Sequence, residues 1–420
     1  MLGGIMSIIN AIGGIAENMQ KEQANLEEAL KQQLRVSVSD QDMIDGVDRL
    51  IYNHCKNKTE LRDLIGGSKP TFNKKLKEAI ENGLISEPIY QNRSHLFTND
   101  QVHVLLDYFG CPKYSDNHFP KVITVTNHKG GTGKTSTTLV LATATALDLN
   151  LNAKVCVLDL DPQGSAGQGV VQIADDSIYV TMADLLLAEF EPDNSENLVN
   201  ALLDNGYSFE DIVKACPFST HLSNLSVITA FPNDERFVDK YWQLDEQEQY
   251  RILQKFREIV LPTLQEEFDI IYIDLPPQDS PITWSALEAT SCVLVPITPR
   301  YYDYASTSNF MGNLHERLQN LPSKGENIEW LKMVAVNYHE NSKPEYQTVQ
   351  KLLRSVRNYL FTQTIAHSDA FTSASELGRT VLDIKKSEEV CTSHQFDIAV
   401  DSVRLFYSQF KNELVALAAK

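Results

Sequence analysis

"VITVTNHKGGTGKTSTTLVLATATALDL", residues 122–149, decides how this chain is read. It opens with alternating β-branched residues, passes through three closely spaced glycines, and continues as a run of small and aliphatic residues without glycine or proline. That order predicts a strand, a tight loop and a helix, which is the setting a phosphate-binding loop needs. Gly130, Gly131 and Gly133 let backbone N–H groups turn toward phosphate oxygens with no Cβ in the way. The helix N-terminus adds the positive end of its dipole. Lys134 is placed to reach the β- and γ-phosphates, and Thr135 to offer its hydroxyl to Mg²⁺. The nucleotide-binding loop is thus expected over Lys129, Gly130, Gly131, Thr132, Gly133, Lys134, Thr135 and Ser136. One feature departs from G-x-x-x-x-G-K-[ST]: His128 stands where the first glycine belongs, and a second lysine, Lys129, follows it.

Working outward, short apolar runs alternate with helical stretches: "VCVLDL" (155–160), "LSVITA" (225–230), "IIYIDL" (270–275), "CVLVPI" (292–297) and "MVAVN" (333–337). Fully apolar strands separated by helices predict a parallel sheet covered on both faces. The fold class expected is α/β, a doubly wound and mostly parallel sheet carrying the phosphate loop. Asp159 and Asp161 end one strand and Asp274 ends another. Carboxylates at strand C-termini converge on the crevice where open α/β sheets bind ligands. Oxygen donors there suit Mg²⁺, which keeps several of its own waters.

The bulk numbers set outer limits. A chain of 420 residues is long for one domain, so two or three are expected. Lys+Arg 37 against Asp+Glu 56 leaves −19, which excludes an overall basic coat but not a local basic patch. Six scattered cysteines form no C-x-x-C pair and suggest packing in a reducing compartment. No uninterrupted apolar run approaches the ~20 residues of a membrane span. The apolar start "MLGGIMSIINAIGGIA" lacks the basic flank and cleavage site of a secretion signal; it reads as a dimer-packing or frayed helix, or as preceding a true start at Met6, with an amphipathic membrane-touching helix as the alternative.

K-G-G-x-G-K-T (Lys129–Thr135), D-x-D-P-Q (Asp159–Gln163) and I-D-x-P-P (Ile273–Pro277) together resemble the deviant Walker-A ATPases, and among them ParA rather than the iron–sulfur members with paired cysteines. The resemblance spans about residues 120–410. It implies that Lys129 crosses a dimer interface to touch the phosphates held by the facing subunit, so that hydrolysis of ATP depends on dimerisation. By the same resemblance Asp161 positions the attacking water and Asp159 holds the hydration shell of Mg²⁺. Asp274 contacts the metal through water. Lys129, Lys134 and Asp161 are then the catalytic set, and Thr135, Asp159 and Asp274 the metal set. Pro299, in "VPITPRYYDYAS", and Asn337, in "VNY", fall where the family holds the base.

Before the linker-like "SDNHFP" (115–120), "KTELRDLIGGSKPTFNKKLKEAIENGLI" reads as helix, turn, helix. Its second helix would present Lys69, Thr71, Asn73, Lys74 and Lys77, with Phe72, Leu76 and Ile80 inward. A hairpin follows as a wing, with Arg93 at its tip. Residues 51–95 carry eight Lys/Arg against five Asp/Glu in this acidic chain. The division expected is a dimerisation helix at 1–38, a winged helix-turn-helix domain at 39–114 and the ATPase domain at 115–420.

The large ParA proteins carry such a domain, so the resemblance implies a homodimer that partitions a plasmid or chromosome. It implies specific operator DNA, non-specific nucleoid DNA and a ParB-type adaptor as partners, with no membrane and a cytoplasmic, nucleoid-associated location. Non-specific contacts are expected at Arg379, Lys385 and Lys386, whereas Arg354 and Arg357 read better as solvated surface charge. Two rivals are a MinD-like membrane ATPase, anchored by "VRLFYSQFKNELVALAAK" (403–420), and a repressor that only senses nucleotide.

Overall fold

The computed structural model describes residues 13–22, 25, 35–36, 47–91, 93–163, 179–192, 194 and 197–420. They divide into two compact units, one running to Val102 and one from His103. Of the helix expected at 1–38, residues 13–22 are helical with Ile15 and Met19 exposed, while Leu26, Leu30 and Leu34 lie outside the described residues.

In the first unit, β1 (Lys56–Asn57) leads into α1 (Lys58–Ile65). Asn57 starts α1 because its side chain accepts from the amides of Thr59 and Glu60, while Glu60 accepts from the Asn57 amide. Gly66, at φ 78°, ends it. After this turn Ser68 caps α2 (Lys69–Glu81), and Pro70 occupies the first turn, where its missing N–H costs nothing. Phe72, Leu76 and Ala79 form the buried face of α2; Ile80, expected inward, is only half-buried. A hairpin of β2 (Ile89–Gln91) and β3 (Ser94–Phe97) follows, and β3 also pairs with β1.

The second unit is built on a seven-stranded sheet. Its strands are β4 (Lys121–Val125), β5 (Val155–Asp159), β6 (Phe218–Ser219), β7 (Leu225–Ile228), β8 (Ile270–Asp274), β9 (Cys292–Ile297) and β10 (Trp330–Ala335). The spatial order is β10-β9-β4-β8-β5-β7-β6, parallel except for the edge pair β6 and β7. Every residue of β4, β5, β8 and β9 is buried. Alternate side chains feed two cores: Cys156, Leu158, Ile271 and Ile273 on one face, Val155, Val157, Ile270 and Tyr272 on the other. That double burial is why these strands are apolar throughout instead of alternating. The antiparallel β6 was not foreseen, since two residues leave no periodic signal.

Helices that matter below are α3 (Lys134–Leu147), α4 (Pro281–Ala289), α5 (Tyr301–Asn320), α6 (Lys343–Val356) and α7 (Ser393–Ala418). One expectation needs correction, and one rival loses its support. Ser115–Pro120 is no free linker: Tyr114–Asn117 is helical, Tyr114 is buried, and the Asn117 carbonyl accepts from the Lys420 amide. Nor is the apolar stripe of α7 available to lie on a bilayer. Phe406, Phe410, Leu414 and Ala418 are buried in the core of the unit. Among the described residues no helix is long and apolar enough to cross a membrane.

Candidate nucleotide site

The chain enters the sheet at β4, with β9 and β10 on one side and β8, β5 and β7 on the other. The loop after β4 therefore sits at the point where the strand order reverses, where such sheets bind ligands. Register brings the carboxylates to it: Asp274 lies level with Val125 on one side and with Asp159 on the other.

The loop is tied before it turns. Asn127 is buried, its amide donates to the Pro296 carbonyl at 3.0 Å, and its Oδ1 accepts the Lys129 amide at 3.2 Å. Gly131 and Gly133 both adopt φ +72°, a backbone region that a side chain disfavours. At Gly133 the backbone alone sets the limit, since a Cβ there would make only ordinary contact with Val336 at 3.5 Å. Gly133 is the N-cap of α3, so the next residues form the first turn of the helix, where backbone amides have no intrahelical acceptor.

Lys134 is buried and its ammonium donates to the Lys129 carbonyl at 3.3 Å, across the mouth of the loop. Burial lowers its pKa, while Asp274 and Asp161 nearby act to raise it. Thr135 donates to Asp274 Oδ2 at 2.7 Å and Thr138 to Asp274 Oδ1 at 3.1 Å. Burial raises the Asp274 carboxyl to about 6, opposed by those two hydroxyls and by Lys134 and reinforced by Asp161. Asp159, also buried, accepts the Asp161 amide at 3.1 Å, and Asp161 in turn accepts the Gln163 amide at 3.1 Å. Thr135, Asp159 and Asp274 thus gather hard oxygen atoms beside the phosphate cradle, a donor set that fits Mg²⁺. A cleft of about 350 Å³ extends beyond Asp159 and Asp161 toward Asp234 and Asp239.

Lys129 forms an ion pair with the carboxylate of Asp303, which is buried in the first turn of α5 and also accepts from Thr298. Sequence reading missed Asp303, because an acid in a first helical turn is an ordinary sight. His128, in the position of the missing glycine, sets its ring edge-on to Phe310 of α5 at 4.8 Å. Burial lowers its pKa. Of the remaining expected residues, Thr132 is buried with its hydroxyl on the Lys129 carbonyl, and Gly130 and Ser136 are exposed. Pro299 is buried just after β9. Asn337 follows β10 at φ 53°, its Oδ1 2.5 Å from His367 Nδ1.

The expected DNA-contacting residues fare unevenly. Lys69, Thr71, Lys74, Lys77 and Arg93 are exposed and Asn73 half-exposed. Lys74 and Lys77 pair along α2 with Glu78 and Glu81 at 3.8 and 3.4 Å. Arg379 is a correction: it is 4% exposed and bonded to Glu388 at 2.6 Å, so its guanidinium faces the interior. Lys385 and Lys386 are exposed, with Lys386 held by Asp397 at 2.6 Å.

Residues 120–324 match the AAA domain family. The chain is 25% identical to Protein SopA of Escherichia coli strain K12 over 272 residues, covering 63% of this chain and 64% of SopA. It is 25% identical to the chromosome partitioning protein ParA of Myxococcus xanthus, over 65% of this chain and 85% of that one. Soj of Bacillus subtilis is likewise 25% identical over 62% of this chain and 90% of its own. The second unit resembles the P-loop domains of ParA, Soj and SopA. A solved partition protein shares the fold with a TM-score of 0.64 over 99% of this chain and 98% of its own, at 16% identity. The match to SopA stops just short of two thirds of SopA's length. In this ParA-like frame the phosphate loop, the strand-end carboxylates and Lys129 occupy one crevice.

Proposed function

We propose that this protein is a ParA-type partition ATPase that binds ATP with Mg²⁺, dimerises on it and hydrolyses it slowly. The observation that carries the reading is the convergence of Lys129, Lys134, Thr135, Asp159, Asp161 and Asp274 on one glycine-rich loop. Backbone amides from Gly131 to Thr135 cradle the β- and γ-phosphates, and buried Lys134 neutralises their charge. Mg²⁺, when bound, would supply positive charge beside the phosphates. Thr135, Asp159 and Asp274 would hold it, directly or through its waters. Asp161, less buried than its neighbours, orients a water for attack in line with the leaving oxygen.

Lys129 is the residue lent to a second copy of the chain. Its attachment to Asp303 is then the resting state, and contact with a facing subunit's phosphate the active one. The first unit, with α1, a tight turn, α2 and a hairpin, is read as a winged helix-turn-helix that docks α2 on operator DNA to repress its own operon. ParB-type stimulation, cytoplasmic residence on the nucleoid and DNA as substrate track complete this reading.

The test is ATP turnover with and without Lys129→Ala and Asp161→Ala. Both variants are expected to keep binding a fluorescent ATP analogue within about threefold while turnover falls by about 10² or more. Unchanged turnover in either one sinks the enzymatic assignment.

A further inference from the structure

The side chain of Asn337 is held in one orientation by a histidine from a distant part of the chain. Its Oδ1 lies 2.5 Å from His367 Nδ1. A carboxamide oxygen can only accept, so Nδ1 carries the proton and donates it. The other ring nitrogen, Nε2, lies 3.9 Å from the exposed Asp369 carboxylate, outside hydrogen-bond reach. We propose that His367 is a positioning residue for the purine base: by holding Asn337 Oδ1 it sets the amide to read adenine and to reject guanine. The proposal deepens the ATPase reading above and rests on its nucleotide site.

Strand order puts Asn337 at the base end of that site. The loop after β4 takes the phosphates, and the metal-binding carboxylates end β8 and β5 on one side of it. Asn337 and Pro299 follow β10 and β9 on the other side. A nucleotide with its metal end over the first side runs its sugar and base toward the second. The end of β10 lies against the loop, since a Cβ on Gly133 would stand 3.5 Å from Val336.

The chemistry of the two bases then decides what a fixed amide selects. Along its N7 edge adenine presents an acceptor, N7, and a donor, the 6-amino group. A carboxamide matches that pair: Nδ2 donates to N7, and Oδ1, with two lone pairs, accepts from the 6-amino group as well as from His367. Guanine shows two acceptors on the same edge, N7 and O6. A free asparagine can rotate to give both Nδ2 hydrogens to that edge. One held by His367 must first break its bond, and otherwise sets Oδ1 against O6. Rejection of guanine therefore lies in the restraint and not in the amide alone.

The restraint is stiff. The Ile365 amide donates to the Ala335 carbonyl at 2.9 Å, the Tyr338 amide to the Ile365 carbonyl at 3.2 Å and the His367 amide to the Tyr338 carbonyl at 2.9 Å. The segment that carries His367 is thus laced to the one that carries Asn337. His339 stacks on the His367 ring with centres 3.9 Å apart, and its own amide donates to Glu345 at 2.9 Å. Ser368, buried, caps the helix Asp369–Glu376 that follows.

The experiment titrates the full chain, with Mg²⁺, into ATP and GTP that each carry a fluorophore on the ribose, which leaves the base edge free. Anisotropy gives both dissociation constants, and their ratio is the readout. His367→Phe keeps a flat ring against His339 and removes the Nδ1 proton. His367→Asn removes the ring and returns an N–H near the place of Nδ1. The phenylalanine variant is expected to lose about tenfold or more of the preference for ATP over GTP, and the asparagine variant to stay within about threefold of the parent. His367→Ala, read in the same way, serves if phenylalanine prevents folding. Asn337→Ala should match His367→Phe, and combining the two should cost nothing further. A preference that survives His367→Phe, or His367→Ala in its place, overturns the proposal. So does an equal loss in His367→Asn, the result of a ring kept only for packing, and so does a parent that binds both nucleotides alike. A parent that binds neither defeats the nucleotide site itself, whereas an ATP preference intact in every variant removes only the role of His367.

Discussion

Asp303 decides what Lys129 is free to do. The carboxylate is buried and fixed by Thr298, and the lysine is 38% exposed, so the pair is anchored at one end only. A half-exposed ion pair contributes at most about 1 kcal/mol, small enough for a competing phosphate to break. Asp303→Asn keeps the Thr298 bond and the helix turn but removes the charge that holds the lysine. The expected outcome is a larger ATP-dependent dimer fraction at equal protein concentration, read by sedimentation velocity. A dimer fraction equal to or below that of the parent would show that the pair does not restrain Lys129. The phosphate loop was legible because glycine, lysine and threonine sit within one short stretch. Asp303 was not, because it lies 174 residues further along and only the sheet order brings it to Lys129.

At the scale of elements, helix Glu246–Lys255 buries a lysine. The Lys255 ammonium donates to the Leu186 carbonyl at 3.2 Å and lies near the rings of Phe190 and Phe209. Burial pushes its pKa down to about 8, against a smaller upward pull from Glu189. The unfolded chain therefore holds that proton more tightly, so this group's contribution to stability rises with pH between about 8 and 10.5. Lys255→Met removes the term. The variant should be about 1–3 kcal/mol more stable than the parent at pH 7, with the gap closing toward pH 10, in paired urea titrations. A gap that stays constant with pH would assign the effect to packing alone.

Elements were readable where burial on both faces made strands uniformly apolar, as in β5, β8 and β9. They were unreadable where pairing alone defines them, as in β6, or where a polar run such as Ser115–Pro120 folds back onto the domain. Arg379 failed for a related reason: sequence gives its charge but not that Glu388 meets it inside the fold.

For the whole molecule, −19 spread over 420 residues means that any nucleic-acid contact must be local. One such place is proposed, on α2, and its specificity is open to experiment. Lys69→Ala and Asn73→Ala on α2 are expected to cost about 1–3 kcal/mol at a specific operator, with far smaller changes on random duplex. Footprinting on the promoter region upstream of the gene, set beside anisotropy on random duplex, reads both. Parallel losses on the two substrates would assign α2 to general binding instead.

The first turn of α5 touches both the phosphate loop and α6. Asp303 grips Lys129 at the phosphate loop, and the ring of its chain neighbour Tyr304 lies under the ammonium of Lys351 on α6. A shift of this turn would move both contacts together. Thermodynamic reciprocity then fixes the traffic between them: whatever factor nucleotide applies to a ligand bound at α6, that ligand must return to the nucleotide.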